Sequence, residues 1–309
     1  MALRTSQTII CAKAESSYGS DPTVAGSNAI LCQSIEITPL TGDTVSRELV
    51  RGYMGNYESF NANTHVQLTA VVELAASGSA GTAPAYSNVL LACGTAKTTV
   101  SATSDTYAPI ATAGSSTIYY FIDGQRHKIF GARGSFSINL SVSAIPTITF
   151  NMIGLYEAPG TSANLTASYS NQDTPVIVNK DNTTAFQLHS YAGAMQSMTF
   201  DLNNDLAYRE LVGGTKEVQF TDRKPSGSIS IEAPVLSTKD FFAISQAGTL
   251  GNLTFQHGQT AGNRVTLTLP KTDIQAPSYA DDNGVTMLNC DYLATPTTSG
   301  NDEFSLKFH

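Results

Sequence analysis

Apolar and polar residues alternate with period two along much of the chain, and each such run predicts a half-buried β-strand. Ile35–Leu40 alternates and meets the turn residues Thr41-Gly42-Asp43, which predict its end. His65–Leu74, Ile118–Ile122, Arg126–Phe130, Phe136–Val142 and Ile148–Tyr156 follow the same rule, with Asp123-Gly124 marking a tight hairpin between the third and fourth of these six runs. A short helix is predicted over Ala85–Cys93, where Gly78, Gly81 and Pro84 lead in and Gly94 supplies the C-terminal cap. Residues 1–30 mix small and polar side chains around Tyr18-Gly19-Ser20-Asp21-Pro22 and read as an extended arm, either floppy or ordered by a neighbouring subunit, with only Ile9, Ile10, Val24 and Ile30 as apolar anchors.

The same succession returns. Arg47-Glu48-Leu49-Val50-Arg51-Gly52 is echoed by Arg209-Glu210-Leu211-Val212-Gly213-Gly214. Met198–Phe200 matches Ile35–Ile37, Ser228–Glu232 matches the strand ending at Glu73, and Lys239–Ala247 with Gly248 matches the first helix and Gly94. Val265–Leu269 is set against Phe136–Leu140, and Val285–Pro296 against Ile148–Pro159. The separations fall in steps: 162 positions from Arg47 to Arg209, 154 from Gly94 to Gly248, 137 from Pro159 to Pro296. Chance likeness between strands would not keep order and drift together, so a duplicated module is expected. The organisation is an arm (1–30), a first module (31–160), a linker with one strand near Val176–Val178 (161–190) and a second module (191–309).

Composition narrows the class. The 309 residues suffice for two modules, and 41% hydrophobic content for a core in each. Only 14% are charged, which suits polar-faced strands better than long surface helices. A net charge of −8 argues against a general grip on nucleic-acid phosphates. The N-terminal apolar stretch is too short for a secretory signal, no run reaches membrane-span length, and cytoplasmic synthesis is expected.

Candidate chemistry is sparse. Cys11, Cys32, Cys93 and Cys290 lack metal-ligand spacing and read as small buried hydrophobes. His65, His127, His189, His257 and His309 are dispersed and read as exposed or strand-face histidines. Gly78–Ala83 lacks the lysine of a phosphate loop, and Asp281-Asp282-Asn283-Gly284 reads as a hairpin turn rather than a calcium loop. No nucleophile, base and orienting group converge, so no enzyme, cofactor or metal site is expected. The basic cluster Arg126, His127, Lys128 and Arg133 is a solvated strand face or a contact to an acidic neighbour or passing DNA. In the repeated RELV segments, Leu and Val look like core. Arg47, Glu48, Arg51, Arg209 and Glu210 are an ordinary surface ion-pair set or a subunit contact used by both modules.

Ile35–Val45, Arg47–Gly55 and Val72–Gly94 together resemble the major tail tube proteins of long-tailed, non-contractile bacteriophages, most specifically in Gly-Ser-Ala-Gly-Thr-Ala-Pro-Ala-Tyr leading to Leu-Leu-Ala-Cys-Gly. In the second module Ala233–Leu236 replaces the glycine-rich turn. The resemblance implies a mainly β protein, two tandem β-sandwich or barrel modules each with a flanking helix. These would self-assemble into stacked rings that form a hollow tube for DNA delivery. It implies the virion tail as location, other tail proteins as partners at the tube ends, and a trimeric ring with quasi-sixfold symmetry, with a hexamer left open. An adhesin or carbohydrate-binding β-sandwich is the other class, weakened by the absence of tryptophan and the scatter of 13 tyrosines.

Overall fold

The computed structural model describes residues 3–309. Side-chain alternation builds almost all of it. In chain order the strands of the first half are β1 (Thr8–Ala14), β2 (Ala29–Ile30), β3 (Cys32–Ser46), β4 (Ser59–Glu73), β5 (Thr95–Val100), β6 (Ser104–Pro109), β7 (Ser116–Ile122), β8 (Gln125–Ser141), β9 (Thr147–Tyr156) and β10 (Gly160–Thr161). The second half carries β11 (Thr183–Leu188), β12 (Met195–Asp201), β13 (Asn204–Arg209), β14 (Glu217–Arg223), β15 (Ser226–Glu232), β16 (Gly251–His257), β17 (Val265–Asp282), β18 (Val285–Ala294) and β19 (Ser305–Phe308). Two helices, α1 (Ser87–Ala92) and α2 (Phe241–Ala247), follow β4 and β15. The fold is mainly β, and antiparallel throughout its sheets.

Eight strands pair in the order β3-β4-β9-β8-β12-β15-β18-β17 across both halves. One face is apolar: Val66, Leu68, Ala70 and Val72 of β4 point inward with Phe136 and Ile138 of β8, Met198 and Phe200 of β12, and Ile229 and Ile231 of β15. The opposite face is polar.

β8 and β17 are long enough to serve two layers. Their first halves leave the eight-stranded sheet at irregular steps, between Phe130 and Arg133 and between Gln275 and Ser278. There β8 pairs with β7 and β7 with β1; β17 pairs with β16 and β16 with β11. Each half thus folds into a sandwich with the same pairing order, β1-β7-β8-β9-β4-β3 and β11-β16-β17-β18-β15-β12. A further seam crosses between halves: β19 pairs with β17 on one side and with β6 on the other. One hydrophobic cluster runs through both halves, centred on Phe136, Phe150, Phe200 and Phe304.

Several expectations need correction. The N-terminal segment is no free arm: β1 supplies Ile10, Cys11 and Ala12 to the interior and pairs with all of β7. Its short apolar run is enough because both neighbours are already sheet. The Thr41-Gly42-Asp43 turn does not end β3, which absorbs the irregularity as bulges and continues to Ser46. Val176–Val178 forms no strand, although Val178 is buried; the strand of that region is β11. The segment after α1 folds into a hairpin, β5–β6, whose β6 edge takes β19. Val265 sits opposite His257 at the turn end of the β16–β17 hairpin, as Gln125 of β8 sits opposite Ile122, so it corresponds to the start of β8 and not to Phe136. His189 and His257 are buried rather than exposed. His257 Nε2 lies 3.1 Å from the Val176 carbonyl and Nδ1 2.9 Å from Thr183 Oγ1, a neutral tautomer with both nitrogens satisfied.

Candidate assembly surfaces

The eight-stranded sheet has two open ends. Among the described residues β3 pairs on one side only, with β4. The Asp273–Asp282 part of β17 likewise pairs only with β18; its other side lies beyond the reach of β16, whose pairing ends with Gly251 opposite Thr272. Each open strand carries a proline inside an irregular step, Pro39 between Thr38 and Thr41 and Pro277 between Gln275 and Ser278. Proline and bulges are what keep exposed strand edges from indiscriminate pairing. The inner junction β8–β12, from Ser137–Asp201 to Ser141–Ser197, has neither.

The sheet's polar face is laced by short side chains. Thr69 donates to Asn151 at 3.0 Å, the Thr199 and Ser228 hydroxyls lie 2.9 Å apart, and Ser230 donates to Gln196 at 3.2 Å. Strand parity also places Glu36, Asp201 and Asp291 on this face, with Arg133 the cation among them.

Two long hairpins rise from the sheet. The first is β3–β4; the second begins as β12–β15 and ends as the separate pair β13–β14. The repeated RELV segments form their tips. Leu49, Val50, Leu211 and Val212 are exposed there and belong to no core, because the chain leaves the strand just as the motif begins and nothing lies beneath it. Arg47 bonds Glu58 at 2.9 Å, and Arg51 stacks over Tyr57 and Tyr53 while donating to the Gly55 and Asn56 carbonyls. Glu48 is exposed. Arg209 donates to Gln219, and Glu210 pairs with Lys216 at 2.8 Å, a bond that lowers the Glu210 pKa.

A mainly β, sandwich-like chain with open sheet ends and unpacked hairpin tips leaves strand edges and apolar side chains that its own fold does not use. A family model for phage tail tube proteins matches residues 5–303, nearly the whole chain. The chain belongs to the phage tail tube protein family. No curated protein matches it in sequence. It is therefore a structural tail tube subunit, and its place is the virion tail.

In this tail tube protein the basic cluster is largely occupied within the chain. Lys128 forms an ion pair with Asp21 at 2.9 Å. Burial pushes the Asp21 carboxyl up, yet Lys128, the Tyr119 hydroxyl and the Thr23 amide together hold it below its ordinary value. Arg126 lies over the Tyr119 ring, and burial lowers the His127 pKa. Arg133 reaches across to the second hairpin, donating to Glu217 at 2.8 Å and to the Val218 carbonyl at 2.6 Å, with Tyr18 stacked on its guanidinium. Sequence reasoning missed the partners Glu15, Tyr18 and Asp21, along with the Arg223–Glu303 pair at 2.9 Å. The one available signal was a basic run with unassigned acidic residues in the preceding segment.

Proposed function

We propose that this tail tube subunit closes into rings of three chains, in which its two halves are duplicated modules occupying alternating, quasi-equivalent positions, and that the rings stack into the channel through which phage DNA passes. The observation that carries this reading is the continuous eight-stranded sheet with one open strand at each end. Eight is even, so β3 and β17 run in opposite directions and a β3–β17 junction between chains is antiparallel, as the inner β12–β8 junction is. The identical pairing order of the two halves supports the duplication, and head-to-tail joining of unlike edges is the arrangement that closes rings. Three chains bring about 24 strands. At a spacing of about 4.8 Å the wall is roughly 115 Å around, a backbone diameter of about 37 Å before strand tilt widens it, more open than porins of 16–18 strands that already hold water-filled channels.

The polar sheet face lines that channel in this reading, and its acidic side chains repel phosphate so that DNA slides without adhering. Other tail proteins cap the tube ends, assembly takes place in the host cytoplasm, and the role is non-catalytic. Native mass spectrometry and axial images of the purified protein test it. Rings of three chains with six similar lobes are expected; a six-chain ring, or a monomer at every concentration and salt, would overturn it.

A further inference from the structure

We propose that the outer part of the β3–β4 hairpin seats on the second half of the neighbouring chain, over the end of α2, in the way β13–β14 seats on the first half of its own chain. The inference rests on the ring reading above and names the contact that joins one chain to the next.

The two hairpins are alike beyond the sheet. Each carries a large apolar cross-strand pair near its outer end, Val45 opposite Phe60 on the first and Leu206 opposite Phe220 on the second. The second pair is half-buried. Phe220 lies over the end of α1, where a methyl group added to Gly94 would meet it at 3.6 Å, and Leu206 borders a small pocket together with Thr69, Asn151 and Ile153 of the first half. Asn204 fixes the approach by donating to the Cys93 and Gly134 carbonyls, both at 2.8 Å, and Tyr208 stacks on His65. The first pair has no such cover: Val45 is 55% and Phe60 56% exposed.

The receiving surface has a counterpart as well. Gly248 closes α2 as Gly94 closes α1, and it has open space where Gly94 has Phe220. Four residues of α1 are buried against one, Phe241, in α2. Tyr279, its ring tilted against Phe242 with centroids 5.1 Å apart, and Leu250 leave apolar surface exposed next to it. An uncovered apolar hairpin and an uncovered apolar helix end, at positions that touch each other between the two halves of one chain, are complementary between chains.

The test separates the contact within a ring from contacts between rings. Because Val45 and Phe60 are exposed, the double variant V45D/F60D folds with an unchanged Tm and raises the concentration at which three-chain rings half-dissociate by about tenfold or more. In a second arm, chains carrying Phe60→Cys are mixed with chains carrying Leu250→Cys and oxidised, and a disulfide-linked pair of unlike chains is expected. Unmodified rings together with intact V45D/F60D rings that fail only to stack, or mixed rings without the cross-link, would overturn this contact and leave the ring standing. Absence of rings from the unmodified protein would overturn both.

Discussion

Arg133 holds more of the molecule together than its neighbours in sequence suggest. Its guanidinium bonds Glu217 and the Val218 carbonyl from the second half while Tyr18 from the N-terminal segment covers its face, so one side chain ties three distant stretches. Replacing it with methionine leaves a half-buried carboxylate and a carbonyl without their donor, an expected cost of about 1–3 kcal/mol. Thermal unfolding of R133M should show a lower Tm, and R133K should recover little of it, because an ammonium cannot also reach the Gly114 carbonyl, to which the Arg133 Nε donates, or stack on tyrosine. Residues whose role is local were legible in the sequence: Asp123-Gly124 and Asn283-Gly284 take the positive φ values of tight hairpin turns, and Gly94 and Gly248 those of helix caps. Arg133 was visible as a cation and illegible as a clamp, since Glu217 stands 84 positions away and no spacing rule links them. The RELV motif was misread for a related reason. Its alternation resembles a buried strand, whereas burial depends on what lies beneath, and beneath a hairpin tip there is solvent.

At the level of elements, strands with clean alternation were found where expected, and most errors fall where a second partner decides the outcome. β1 is a strand because β7 offers it an edge, and β3 runs through its turn signal because β4 continues beside it. β12 shows what such pairing is worth. It lies between β8 and β15, so both of its edges are bonded. A proline at Thr199 removes a ladder hydrogen bond and crowds the neighbouring strand, with an expected loss of at least about 1–3 kcal/mol. Hydrogen exchange of T199P should show protection falling on β8 and β15 together. β3 already contains Pro39 in its bulge, where only one edge is paired, which fits the rule that proline belongs to sheet margins.

For the whole molecule, acid is the condition to which stability is most exposed. Burial lowers the pKa of His189 and of His257 below the ordinary histidine value, in each case against an opposing carbonyl hydrogen bond. The unfolded chain therefore binds protons from about pH 6.5 downward while the folded chain does not, and stability declines as pH falls from there through the lower folded values. Asp21, held below its ordinary value, adds a second decline in the more acidic carboxylate range. The measurement is Tm against pH: the wild type should lose stability as pH falls below about 6.5, and H189Q/H257Q should flatten that segment whatever its absolute Tm.

The seam between β6 and β19 sets a timetable. Asp105 is paired with Phe308, so the edge of the first half stays open until β19, which begins at Ser305, has been made. At ribosomal rates of about 5–20 residues per second that interval is roughly 10–40 s. The first half spends it with the β6 edge unpaired, and the seam closes only once β19 has emerged. A nascent chain of this kind has an exposed strand edge throughout the period in which other copies are being made beside it, which is when unproductive pairing competes with folding.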